Sequence, residues 1–323
     1  MKPLPYNVAF VTPKADIEKF KREFLDKEEK SKPHKIDKEI LSELYRWYGL
    51  YLLEEGRFDD SIEAAEKAQH LLPESDNLVN ASIAVQKMIS LINAGDNKAA
   101  LKEALNALHL LLEIKDKQSA DFLAVLSVLL YNLAMVHNAT GATGLAEKEL
   151  AKSQKILEKL AKKDNDRFAA SLLLAVEAST TVFKSRMKQM NTLAHYQVAT
   201  ATYLEKMNKG VESAAKSLVE SLQKEGDILL QMGNFREAVK YYTKALRYQK
   251  KISRDLGKTE LRISVNLGKA LLHLINRYDT GRQLLQSMVP LAKSLGANAE
   301  LEEINELLNI KPGLFEGLWK KLF

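Results

Sequence analysis

Apolar residues recur at three- and four-residue spacing along almost the whole chain, and alternation of β-branched residues is nearly absent. That is the pattern of amphipathic helices and not of strands. The polar breaks between the apolar runs are short and alike: "EEGRFDDS" (54–61), "NAGDNKAA" (93–100), "NATGATGLA" (138–146), "QMGNFREA" (231–238) and "NRYDTGRQ" (276–283). Each ends one helix on a glycine or polar turn and starts the next within two or three residues, as an antiparallel helix hairpin requires. The pattern predicts an all-α chain built from consecutive hairpins.

The hairpins repeat one another. In "EGDILLQMGNFREAVKYYTKALRY" (225–248), Gly226 lies in the first helix, Gly233, Asn234 and Phe235 form the turn, and Ala238, Tyr242 and Ala245 share one face of the second helix. The same cadence returns in 48–73 as Gly49, Gly56, Phe58, Ser61, Ala65 and Ala68 with a closing Pro73, and weaker copies surround Gly95, Gly141, Ala194 and Tyr278. Small residues let two helices cross closely, an aromatic residue staples the turn, and proline ends the second helix.

These marks resemble the tetratricopeptide repeat. The stretch 131–159, with Tyr131, Asn132, Leu133, Ala134, Gly141, Ala146, Glu147, Leu150, Ile156, Glu158 and Lys159, resembles the long kinesin-light-chain type, which is similar to repeats of bacterial cytoplasmic proteins. Equivalent first-helix positions from Gly49 to Gly268 are spaced about 44 residues apart, against about 34 for the minimal repeat. The resemblance implies a right-handed α-α superhelix of about six hairpin units over 38–296. Residues 1–37 form an N-terminal arm and charged helix, and 297–323 a C-terminal capping helix and amphipathic tail. The fourth unit, within 166–208, lacks a turn glycine.

Composition narrows the setting. The 323 residues contain no cysteine, which excludes disulfides, thiolate metal sites and a thiol nucleophile. Pro3, Pro5, Asn7 and Pro13 interrupt the start, so no secretory signal is read there. No uninterrupted apolar run reaches the ~18 residues of a membrane span. A cytoplasmic location is the expectation. The net charge of +6 is unevenly placed: residues 182–293 hold 20 Lys and Arg against 9 Asp and Glu.

Catalytic chemistry finds little support. "NATGATGLAEKEL" (138–150) carries two glycines three apart, but a phosphate loop needs a preceding strand and G-x4-G-K-[ST], whereas Leu145 and Ala146 follow Gly144. It reads as a hairpin bend. His34, His70, His109, His137, His195 and His273 include no pair at the i, i+4 spacing of zinc ligands, and His137 occupies a position expected to be core. No Gly-x-Ser-x-Gly elbow is present. The expectation is a non-enzyme with no cofactor and no metal.

Binding is the better reading, since the first helices of stacked pairs line a concave wall. The pattern projects Arg46, Trp47 and Leu50 onto that wall, then Gln86, then Asn132, Met135 and Asn138, then Phe183 and Arg186, then Lys224 and Asp227, and finally Asn266, Lys269 and His273. In peptide-binding members of the resembled family, an asparagine before a Leu-Ala or Leu-Gly pair grips ligand backbone, and Asn132 and Asn266 match that motif. The set that clamps a C-terminal carboxylate is not reproduced, because Leu50 and Met135 stand at its positions. An acidic protein or peptide segment is the natural complement of the basic second half. With no helix-turn-helix reader and no zinc finger, nucleic acid is the weaker partner. The tail stripe of Leu314, Phe315, Leu318, Trp319, Leu322 and Phe323 caps the last apolar face, docks on a neighbouring subunit or rests on a membrane surface.

Overall fold

A computed structural model of the chain describes residues 38–72, 77–252 and 257–309. The N-terminal arm and helix, Pro73, and the tail stripe from Leu314 lie outside the described residues. Among the described residues there are twelve α-helices and no strand. They are α1 Lys38–Glu54, α2 Phe58–Leu71, α3 Asn77–Ala94, α4 Asn97–Leu112, α5 Ala120–Ala139, α6 Thr143–Ala161, α7 Asn165–Asn208, α8 Ala214–Gln231, α9 Phe235–Ile252, α10 Lys258–Leu272, α11 Tyr278–Ser294 and α12 Asn298–Asn309.

One turn is used again and again. After α8, the Gly233 N–H donates to Leu230 O at 3.0 Å and the Asn234 N–H to Leu229 O at 2.8 Å, the paired bonds of a Schellman cap. Gly233 takes a φ of 74°, which a side chain would oppose. The same two bonds close α1 at Gly56 and Arg57, α3 at Gly95 and Asp96, α7 at Gly210 and Val211, and α11 at Gly296 and Ala297. Helix starts are capped where the sequence allows it: Asp96 accepts from the Ala99 N–H, and Ser119 from that of Phe122.

The predicted fourth hairpin is not formed. Between Asn165 and Asn208 the chain has neither glycine nor proline, so nothing ends the helix, and α7 runs unbroken for 44 residues. The described helices therefore make hairpins α1/α2, α3/α4, α5/α6, α8/α9 and α10/α11, plus α7 as a single rod and α12.

The chain divides into two compact units. The first comprises the described residues up to Thr140 with Ala146–Val182. In it α1 packs on α2, α2 on α3, α3 on α4, and both α3 and α4 on α5. Side chains join the later helices: Ser153 Oγ donates to Ser127 O at 2.8 Å, and Gln154 Nε2 to Ala175 O at 2.9 Å. α5 is this unit's core helix, buried almost continuously from Phe122 to Ala134. By length and composition α5 is also apolar enough to cross a membrane. Polar Ser127 and Asn132 keep its sequence from forming an uninterrupted apolar run, yet its average is that of a span. Packed neighbours cover 83% of that window, as for the core helix of a folded unit.

The second unit contains Gly141–Leu145 and the chain from Phe183 onward. Leu193, Tyr203 and Met207 of α7 pack against a core of Leu218, Leu222, Leu229, Ala238, Tyr242, Ala245, Ile263, Leu267 and Leu271. Thr200 hydrogen-bonds Ser221 at 2.8 Å. Farther on, α8 pairs with α9, α9 with α10, α10 with α11, and α12 packs on both α11 and α10. The two glycines of the 138–150 bend are explained here: Gly141 has a φ of 82°, and a Cβ on Gly144 would lie 1.9 Å from Met232 O. They serve a turn and a close backbone approach.

Candidate functional site

The second unit places α8 and α10, first helices of consecutive hairpins, against each other. Asp227 of α8 and Asn266 of α10 meet there, with Asn266 Nδ2 donating to Asp227 Oδ1 at 2.9 Å. Tyr242 Oη, from α9, donates to the same oxygen at 2.8 Å. Burial first, then the Asp227 charge and hydrogen bond, hold the Tyr242 phenol well above its ordinary pKa, so it stays a donor. The carboxylate thus fixes an amide and a phenol in one plane of contact. Asn266 is buried, with 9% of its surface exposed.

Charges frame the network. Lys224, nearly one helical turn before Asp227, is exposed. Lys269, nearly one turn after Asn266, reaches Glu303 of α12 at 3.3 Å, and Arg262 reaches both Glu303 at 3.3 Å and Glu300 at 3.6 Å. His273, just past α10, stacks on Phe235 with ring centroids 4.1 Å apart. Behind the face, Glu225 is buried, hydrogen-bonded by Thr200 and Tyr241, and burial raises its pKa.

The first unit treats its projected groove residues differently. Arg46 Nη2 donates to Ser82 Oγ at 2.8 Å, and Gln86 Nε2 to Arg46 O at 3.2 Å. Both residues are buried between α1 and α3, as is Leu50, while Trp47 is half-buried. Asn132 is fully buried, and its Nδ2 donates to Val128 O of its own helix at 2.8 Å. It sits in the same local motif as Asn266, which is also buried but donates to Asp227 of a neighbouring helix rather than to its own backbone. Met135 and Asn138 are half-buried. On α7, Phe183 is 61% exposed and Arg186 is half-buried. Lys224, Asp227, Asn266 and Lys269 are therefore the projected residues brought together on one face of the second unit.

A family model of the tetratricopeptide repeat matches residues 219–252. This hairpin is a tetratricopeptide repeat. The repeat opens within α8 and closes at the end of α9, so it supplies Lys224, Asp227 and Tyr242 of the site. Among solved structures, the chain is similar to NprR in complex with its cognate peptide NprX, at 18% identity over 94% of this chain and 84% of that chain, TM-score 0.37. It is similar to the TPR2AB-domain–pHSP90 complex of yeast Sti1, at 13% identity over 83% and 96%, TM-score 0.29. A third likeness is to a putative kinesin light chain of Podosopora anserina with nearly identical TPR-like repeats, at 14% identity over 81% and 99%, TM-score 0.34. No curated protein matches the sequence.

Sequence reading missed four partners, Tyr242, Glu300, Glu303 and Glu149. Tyr242 is legible as a core residue but not as a donor to Asp227. Glu300 and Glu303 lie more than thirty residues from the cations they face, beyond any local pattern. The buried pair His137–Glu149, Nδ1 to Oε2 at 2.7 Å, couples α5 to α6. Burial raises the Glu149 pKa, while His137 opposes the shift. Among the described residues no three His, Asp or Glu side chains converge as a metal site would require.

Proposed function

We propose that the chain is a non-catalytic recognition scaffold, and that the α8/α10 face of its second unit receives an extended peptide segment. The observation that carries this reading is the hydrogen bond by which Asp227 orients Asn266 between α8 and α10, with exposed Lys224 nearly one turn before Asp227 and half-exposed Lys269 nearly one turn after Asn266. An amide offers two N–H donors and a carbonyl acceptor. Held by one N–H, it is suited to reading peptide backbone while tolerating varied side chains. The flanking lysines favour an acidic ligand. The histidine–glutamate pair closest to acid-base machinery is sealed in the first unit's core, which favours binding over catalysis.

The test is a peptide-display selection against the full chain, followed by calorimetric titration of the selected peptide. Asn266→Ala is expected to weaken it by about 1–3 kcal/mol, and Lys224→Glu to weaken acidic sequences selectively. Selection of peptides indifferent to both changes contradicts the site. Preferential binding of RNA or duplex DNA, with the steep salt dependence of counterion release, contradicts the peptide class.

A further inference from the structure

The second half of α7 carries an apolar stripe that the described residues of its unit leave exposed. Phe183, Met187, Met190, Ala194, Val198 and Ala201 follow one another at three- or four-residue steps, and all are exposed. Phe183 is 61%, Met190 48% and Val198 69% exposed. The opposite face, through Leu193, Tyr203 and Met207, is the one that packs into the core. At ~100° per residue the two stripes lie on opposite sides of the helix. An apolar seam about 27 Å long on a rod-like helix is the geometry of a helix-pairing surface.

The order of side-chain sizes says what pairs with it. The N-terminal half of the stripe is large, Phe183, Met187 and Met190, and the C-terminal half is smaller, Ala194, Val198 and Ala201. Turned through a two-fold axis near residue 192, a second α7 sets Ala201 opposite Phe183, Val198 opposite Met187 and Ala194 opposite Met190. Every layer then joins a large residue to a smaller one, as close packing demands. A parallel pair would place Phe183 on Phe183 and leave a gap between facing Ala194 residues. It would also align Lys184, Arg186 and Lys188 with their own copies, whereas the antiparallel pair carries them to opposite ends. The tail stripe 314–323 fits less well, being bulky at each step and adding Lys320 and Lys321 to a basic surface.

We infer that two copies of this chain associate through antiparallel pairing of α7 across a two-fold axis near residue 192. The contact is isologous and closes at the dimer. It uses neither Asn266 nor Lys224.

Sedimentation equilibrium of the full chain tests the association, and the absence of native cysteine permits a directional cross-link. Met190→Cys and Ala194→Cys proteins, mixed and oxidised, should give the mixed 190–194 disulfide in excess over either symmetric product. Ala194→Lys should raise the dimer dissociation constant by about tenfold or more with an unchanged helical circular dichroism spectrum. A chain that is monomeric at every concentration overturns the inference. So does a preference for symmetric disulfides, or an intramolecular disulfide in a chain carrying both Met190→Cys and Leu318→Cys.

Discussion

Gly226 lies directly under the Tyr242 ring: a Cβ at this position would come within 2.6 Å of Tyr242 Cε1. The ring is fully buried and its hydroxyl is held by Asp227, so it cannot swing aside. Gly226→Ala should therefore force α8 and α9 apart and cost about 1–3 kcal/mol in urea unfolding. The same change would disturb the Asp227 network that Tyr242 supports, so peptide affinity should fall with stability.

Glu303 competes for the cations that would meet an acidic ligand. Its ion pairs with Lys269 and Arg262 are partly exposed, so each contributes little to stability. Glu303→Gln should leave the unfolding midpoint almost unchanged and strengthen an acidic peptide by about 0.2–1 kcal/mol. Raising the salt should erase the gain, because exposed charges are screened within about 8 Å at physiological ionic strength. Titrations at low and high salt check this.

The His137–Glu149 pair gives the first unit a pH signature. Burial raises the Glu149 pKa in the folded state, so the native chain binds this proton more tightly than the unfolded one. Stability from this group is full below the ordinary carboxylate pKa and is lost as pH rises through the raised one. Glu149→Gln should remove that decline, seen as a flatter melting-temperature profile on the alkaline side of the carboxylate range. Burial lowers the Lys152 pKa while the Glu149 charge opposes that shift, so the comparison is made in a Lys152→Met background.

The hairpins were legible because their signals are local. A glycine at Gly56, Gly95 or Gly233 and two backbone bonds terminate a helix wherever they occur, and the close-crossing residues Gly49, Ala65, Ala238 and Ala245 follow at fixed offsets. The continuity of α7 was legible too, in the absence of glycine and proline from Asn165 to Asn208, but the repeat period argued for a turn there. The helix kept its own propensity, and among the described residues the face from Phe183 to Ala201 is exposed.

The site was legible only in part. Asn132 and Asn266 occupy the same Asn-Leu-small motif, and what separates them is that Asn132 bonds its own helix while Asn266 meets Asp227 from the preceding hairpin. That is a property of packing and not of spacing. The pairing of Lys269 with Glu303 likewise depends on α12 folding back onto α10, which no pattern around either residue encodes.

A photo-crosslinking residue at position 224, compared with one at Lys240 on the exposed side of α9, tests the central claim most directly. With a display-selected peptide bound to the full chain, position 224 should capture it and position 240 should not. Capture at 240 alone, or equally at both, would contradict recognition by the α8/α10 face.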